Sequence, residues 1–167
     1  MLPRKNRLGL GANLGIQYRL QLDRGDIQNM MTATDTVLEF MERINRRDAQ
    51  GLGALMTEDH VFTDSLGQTV RGRDNMRAGW KGYFAFCPDY WVSHEDIFAV
   101  GGRVAVFGAA GGTIAVDGKV LPENKWRTQA AWLAVVERGL MKEWRVYADN
   151  KPAYEIMARL KSRSGGG

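Results

Sequence analysis

The run Thr57-Glu58-Asp59-His60-Val61-Phe62-Thr63-Asp64-Ser65-Leu66-Gly67 places an aspartate at the end of a short, largely apolar strand. Successive strand side chains alternate between faces, so His60, Phe62 and Asp64 share one. If that face looks inward, Asp64 carries a carboxylate into apolar surroundings. Desolvation there raises its pKa and makes it a candidate proton carrier, with His60 as a possible partner. The same Asp also suits the opening of the Ser65-Leu66-Gly67 turn, because Asp side chains bond backbone amides two residues on. A lone His equally suits a structural position.

Aromatic residues are the second chemical signal. Trp80, Tyr83, Trp126, Trp132, Trp144 and Tyr147 are many large rings for one small domain, and such rings line concave pockets that hold apolar ligands. Each taken singly also fits a core position. Arg127 and Gln129 share a strand face, either orienting a polar group in a pocket or lying on a solvated or interface face. Gly101-Gly102 and Gly111-Gly112 lack the strand-to-helix context of a phosphate loop and read as a turn and a bulge.

The elements that must position these residues change period at Pro88. Thr34 or Asp35 can cap a helix whose Val37, Leu38, Met41 and Ile44 fall on one face, and a short helix fits 49–56. Strand 60–65 follows, Val70 adds a short paired strand, and Gly72-Arg73-Asp74 opens a third helix carrying Met76, Trp80, Tyr83 and Phe84. Segments 90–100, 103–116, 124–136 and 140–149 then alternate or run apolar between Gly101-Gly102, Asp117-Gly118 and Arg138-Gly139, which is an antiparallel meander. A last helix spans about 152–161, with Pro152 in its first turn. The expected fold is α+β: a curved antiparallel sheet packed on three N-terminal helices, with a short C-terminal helix. The long strands are apolar on both faces, so the face away from the helices is expected to meet a second copy in a homodimer.

With 167 residues the chain has the length of one domain, enough to bury about two-thirds of its unfolded surface without staples. Cys87 is its single cysteine, which excludes an intrachain disulfide. With His60 and His94 the only histidines, no metal site is expected. Of the net charge of +4, residues 1–30 carry +3 (Arg4, Lys5, Arg7, Arg19, Arg24 against Asp23, Asp26) and Arg163 the rest. The remainder is balanced, so a nucleic-acid partner is not expected. No apolar run approaches the roughly 20 residues of a membrane span, and the cytoplasm is the default location. Residues 1–30 keep no sustained period and read as a poorly packed extension or an upstream-start arm; 31–161 form the domain; 162–167 read as a flexible tail.

The order and spacing of Asp48 through Gly72, Cys87-Pro88-Asp89-Tyr90 and Glu143-Trp144-Arg145-Val146-Tyr147-Ala148-Asp149 resemble the nuclear transport factor 2-like superfamily over about residues 31–158. Its cone-shaped folds include ketosteroid isomerases, SnoaL-like polyketide cyclases and limonene epoxide hydrolases. The resemblance puts Asp64 where ketosteroid isomerases hold their proton-moving aspartate. The positions nearest that family's two oxyanion donors are Phe40 and Ala131, neither able to donate, which excludes a steroid-type isomerase whose rate depends on them. Asp149 resembles the aspartate that ends the last strand of limonene epoxide hydrolases and helps activate water; it also suits a cap for the final helix. The Arg-x-Asp those enzymes need is replaced by Phe107-Gly108-Ala109-Ala110-Gly111.

Two functions follow as expectations. One is a SnoaL-like, cofactor-independent isomerase, cyclase or hydrolase using Asp64 and Asp149 on a small hydrophobic molecule held by His60, Phe62, Trp80, Tyr83, Trp126 and Tyr147. The other is a non-catalytic ligand-binding or dimerisation module of the same fold, favoured if the turn amides fully occupy Asp64.

Overall fold

The computed structural model describes residues 31–164, so the expectations for residues 1–30 and for the Gly165-Gly167 end lie outside the described residues. Helix α1 (Ala33–Asn45) buries Val37, Phe40, Met41 and Ile44, the spacing of one helical stripe. Its N-cap is Thr32 rather than Thr34 or Asp35. Thr32 Oγ1 accepts from the Asp35 amide while the Asp35 carboxylate reaches back to the Thr32 N–H, a reciprocal capping box. Helix α2 (Ala49–Ala54) starts at Asp48, whose Oδ1 accepts from the Gly51 amide at 2.7 Å.

Strand β1 (Met56–Thr63) starts earlier than expected and pairs antiparallel with β2 (Thr69–Arg71), Phe62 standing opposite Val70. Gly72, at φ 89°, turns the chain into helix α3 (Arg73–Phe86), which buries Met76 and Trp80. Strands β3 (Trp91–Val100), β4 (Arg103–Val116), β5 (Lys119–Glu137) and β6 (Leu140–Ala148) form the meander. The hairpin turns Asp117-Gly118 and Arg138-Gly139 hold φ of 48° and 72°, and 50° and 73°. Positive φ at both central residues is the turn whose twist suits paired strands. Helix α4 (Lys151–Ser164) continues past the expected end at 161.

The six strands lie in the order β2-β1-β6-β5-β4-β3. The sheet is antiparallel except between β1 and β6, which run parallel with Phe62 opposite Trp144. That pair returns the last strand to the helical half and closes the curved sheet beside the helices. The expected bulge at Gly111-Gly112 is absent: both residues pair regularly with Arg127 and Trp126, and the irregularity falls between Thr113 and Ala115. Gly112 is instead a close-approach position, since a Cβ there would lie 2.4 Å from Cys87 Sγ and 3.1 Å from Tyr90 Cα.

Strand parity sorts the sheet into two faces. Phe62, Trp144, Ala134 and Val104 form one register row facing the helices, and Val146, Trp132 and Val106 the next. Trp132 and Trp144 stack with centroids 5.9 Å apart, and Phe40 packs on Trp144 at 5.3 Å. Further along, the inner positions shrink to Ala148, Ala130 and Ala110. Small side chains there leave a hollow between sheet, α3 and α4.

Candidate functional site

That hollow is a cavity of about 360 Å³. The sheet contributes Phe62, Val146 and the indoles of Trp126, Trp132 and Trp144, together with the three alanines and Thr128. Helix α3 adds Met76, Trp80, Tyr83 and Phe86, Tyr90 enters ahead of β3, and α4 closes one side with Ala153, Tyr154 and Met157. Its aromatic rings pack edge-on in a chain from Phe62 to Trp80 to Tyr83 to Tyr90, at centroid separations of 6.4, 6.2 and 4.8 Å. Trp80 is 5 % exposed and its indole N–H is buried with no acceptor among the described residues.

Asp64 stands on the wall of this cavity, at its half-buried rim, and among the described residues it is the one charged side chain lining it. It is also a turn former. Its Oδ1 accepts from the Leu66 and Gln68 amides at 2.9 and 2.8 Å, and its backbone closes the turn with Gln68 and Gly67. Oδ2 has no hydrogen-bond partner among the described residues, and no cation pairs with it there. The turn bonds thus occupy one carboxylate oxygen and leave the other without a partner among the described residues.

Polar neighbours at the rim escaped the sequence reading. Asn150 Nδ2 donates to Ser65 Oγ at 2.6 Å, and both residues line the cavity with Asp64, Thr128 and Tyr154. Thr128 Oγ1 is already committed, donating to the Asp149 carbonyl at 2.8 Å. Deeper, burial pushes the Tyr83 and Tyr90 phenols well above their ordinary range, so both stay protonated. Burial likewise pushes the Cys87 thiol up to about 11, and with no exposed surface it is a packing residue.

Of the expected site residues, Asp64, Phe62, Trp80, Tyr83 and Trp126 meet at the cavity, and three lie elsewhere. His60 is fully buried in the core beside Phe40; its Nδ1 lies 2.8 Å from the Met141 carbonyl oxygen, and burial lowers its pKa. Tyr147 is 51 % exposed on the opposite sheet face, because Trp144, Val146 and Ala148 take the inward parity of β6. Asp149 follows Tyr147 in opening an outer groove, and its Oδ1 accepts from the Lys151 amide at 2.9 Å at the start of α4. Of its two readings, the helix-start one matches this placement. Arg127 and Gln129 are exposed on the outer face, and Ala131 faces out as well, opposite Tyr147.

A second, open groove between α1 and β3 holds Asp35, Glu39, Glu42 and His94. Its carboxylates are already engaged, Asp35 in the capping box, Glu39 with Arg43 and Glu42 with Arg46. Among the described residues no group of His, Cys, Asp and Glu is arranged to hold a metal ion. No helix among them is long and apolar enough to cross a membrane.

The sequence model of the SnoaL-like domain matches residues 37–144, which takes in α1 through the inward Trp144 of β6. The chain belongs to the SnoaL-like domain family. Solved structures share its fold. IdmH, a candidate polyketide cyclase from Streptomyces antibioticus, superposes with a TM-score of 0.64 at 23 % identity, over 77 % of this chain and 99 % of its own. A candidate SnoaL-like polyketide cyclase from Shewanella putrefaciens gives 0.66 at 14 % identity, over 78 % and 98 %. An LEH-like epoxide hydrolase from M. tuberculosis gives 0.63 at 17 %, over 76 % and 90 %. At these identities the likeness is one of fold. No curated protein sequence matches the chain.

Proposed function

We propose that this SnoaL-like protein is a cofactor-independent enzyme that moves a proton on a small, largely apolar molecule held in the aromatic cavity. Asp64 is the acid/base, and the observation that carries the reading is that it lines an otherwise uncharged cavity while its Oδ2 has no hydrogen-bond partner among the described residues. The two turn amides fix the carboxylate on Oδ1, so the second oxygen is presented without the entropy cost of a mobile side chain. The neighbours described as polyketide cyclases and an epoxide hydrolase support small-molecule chemistry in this fold. The epoxide-hydrolase variant of the reading is weakened, because Asp149 lies outside the cavity and the inner face of β4 offers Ala110 in place of a charged acid.

Asp64→Asn is the direct test. Asparagine Oδ1 can keep both turn amides, so the fold persists while the proton carrier is lost. Turnover of any substrate found in a lipophilic-compound screen should fall by about 10²–10⁴, with ligand binding retained. Normal turnover in this variant would take the acid/base role away from Asp64 and leave it a turn former. That second reading, a ligand-binding module, draws on the turn-forming bonds of Oδ1. For either function the proposed partner in assembly is a second copy, docked on the outer sheet face.

A further inference from the structure

Strand β3 ends the sheet, so one of its two sides lies open among the described residues. At the start of the strand a side chain closes that side. Asn45, which ends α1, donates from Nδ2 to the Val92 carbonyl at 3.0 Å and accepts from the Val92 amide on Oδ1 at 2.9 Å, as a neighbouring strand would. Past Val92 no backbone group bonds on the open side among the described residues. The near half of this edge is guarded by Glu95, Asp96 and the bulge between His94 and Asp96. The far half, Ile97-Phe98-Ala99-Val100, has no such guard, and Phe98 and Val100 are 63 % and 83 % exposed. Ile97 and Ala99 stand opposite the buried Val106 and Val104, so they end the inward rows of the sheet, yet Ile97 is half-buried and Ala99 exposed. Beside the edge, the groove between α1 and β3 has Met31, Leu38 and Met41 as its apolar lining. Leu38, which the α1 stripe assigns to the core, is only half-buried because it faces this groove.

The chain reaches α1 along this same edge. Asn45, at the end of α1, holds Val92, while Thr36 in its first turn donates from Oγ1 to the Gly139 carbonyl at 3.3 Å, at the end of the sheet where β3 turns into β4. Whatever precedes Met31 therefore starts beside the open side of β3. Residues 1–30 as a whole keep no period, but Ile16-Gln17-Tyr18-Arg19-Leu20-Gln21-Leu22-Asp23 alternates apolar and polar without a break. That is the pattern of a strand with one covered face. From Leu22 to Met31 the chain can reach up to about 30 Å, and the edge from His94 to Val100 is about 20 Å long. Charge favours the same match. Residues 1–30 carry +3, and Glu95 and Asp96 make no ion pair among the described residues.

We infer that residues 16–22 dock on the open edge of the chain's own β3 as a seventh strand. Main-chain bonds to the edge supply the pairing, and alternation supplies the register. Ile16, Tyr18, Leu20 and Leu22 then cover Leu38 and the groove lining. Arg19 falls on the opposite face, which is the face of Asp96, since Asp96 stands opposite the outward Phe107. The added strand removes the unguarded apolar edge.

Hydrogen-exchange mass spectrometry of the full chain at micromolar concentration reads both sides of the pairing. The expected result is exchange in residues 16–22 slower than in an unstructured chain by about tenfold or more. Leu20→Pro removes a ladder donor and should release residues 16–22 and speed exchange in 94–100, with 103–136 unchanged. Leu20→Val keeps an apolar strand former and should keep the protection. Unprotected exchange of residues 16–22 in the wild type, or exchange in 94–100 unchanged by Leu20→Pro, overturns the inference. A nitroxide on Gln21→Cys identifies whose edge is used; Cys87 is fully buried, so the label goes to residue 21. In ¹⁵N-labelled protein the nitroxide should broaden the amides of 94–100, and dilution with excess unlabelled protein should leave the broadening in place. Broadening that dilution removes gives the edge to a second copy and overturns pairing within one chain.

Discussion

Asn150 and Ser65 join the start of α4 to the β1–β2 turn through a 2.6 Å side-chain hydrogen bond. The bond closes the rim beside Asp64 and ties the one helix that follows the sheet to the strand end that carries the carboxylate. Helix α4 walls the cavity together with the sheet and α3, and it is held at its far end by Arg159 Nη2, which donates to Asn124 Oδ1 at 3.2 Å.

Asn150→Ala should therefore loosen α4 while leaving the sheet untouched. The lost bond is worth about 1 kcal/mol, so amide exchange in residues 151–157 should speed up several-fold and ligand affinity should fall by a similar factor. Hydrogen-exchange mass spectrometry measures the first and tryptophan quenching the second. Unchanged exchange in α4 would show that the packing of Ile156 and the Arg159 bonds hold the helix without Asn150.

His60 sets a pH dependence of stability. Burial holds its folded pKa below the ordinary value, against the raising effects of the Met141 carbonyl, Asp59 and Glu143. The unfolded chain then binds the proton more readily than the folded one. Stability is full above about pH 6.5 and is lost as pH falls from there towards the lowered folded pKa. Urea unfolding between pH 7.5 and 5 should show this slope, and His60→Gln should flatten it in that window. An equal slope in the variant would assign the loss to other groups.

Gly112→Ala should destabilise the protein by about 1–3 kcal/mol, because the added methyl would sit 2.4 Å from Cys87 Sγ. Adding Cys87→Ala should recover part of the loss, since the sulfur is one of three obstacles and the Tyr90 Cα at 3.1 Å and Asp89 Oδ1 at 3.3 Å remain. Denaturant midpoints of the four proteins form the cycle, and strict additivity would contradict the proposed clash.

The outer sheet face makes a separate prediction. Phe98 is 63 % exposed, Phe107 lies against it at 6.1 Å, and Ala131 and Tyr147 extend the row. Light scattering should give a dimer mass that Phe107→Glu converts to a monomer at micromolar concentration. A wild-type monomer at all concentrations would contradict the homodimer.

Much of this site was legible as periodicity. The α1 stripe named Val37, Met41 and Ile44, and the change of period at Pro88 placed the meander. Parity, applied strictly from Trp126 and Trp144, also sorts Thr128, Ala130, Trp132, Val146 and Ala148 inward and sends Gln129, Ala131 and Tyr147 outward. The ring of Tyr147 suits a pocket wall, but its parity on β6 turns it to the outer face. Two features lay beyond any local pattern. The parallel β1–β6 pair is a tertiary contact between residues some 80 apart in sequence, as between Phe62 and Trp144. The rim pair Ser65 and Asn150 is likewise made only when α4 folds back over the sheet. His60 shares the face of Phe62 and Asp64 as alternation requires, yet the helix above it is Phe40's, so the same face is core at one end and cavity at the other.

Deuterium incorporation is the most direct test of the central claim that Asp64 carries a proton in the aromatic cavity. A panel of small lipophilic carbon acids, 1-indanone among them, is incubated with the protein in D2O and followed by ¹H NMR. With the wild-type chain the signal of the acidic C–H should be lost faster for at least the panel members that quench tryptophan. With Asp64→Asn, which still binds them, exchange should stay at the background rate. Background exchange with the wild-type protein under saturating ligand, or equal acceleration by both proteins, would contradict the claim.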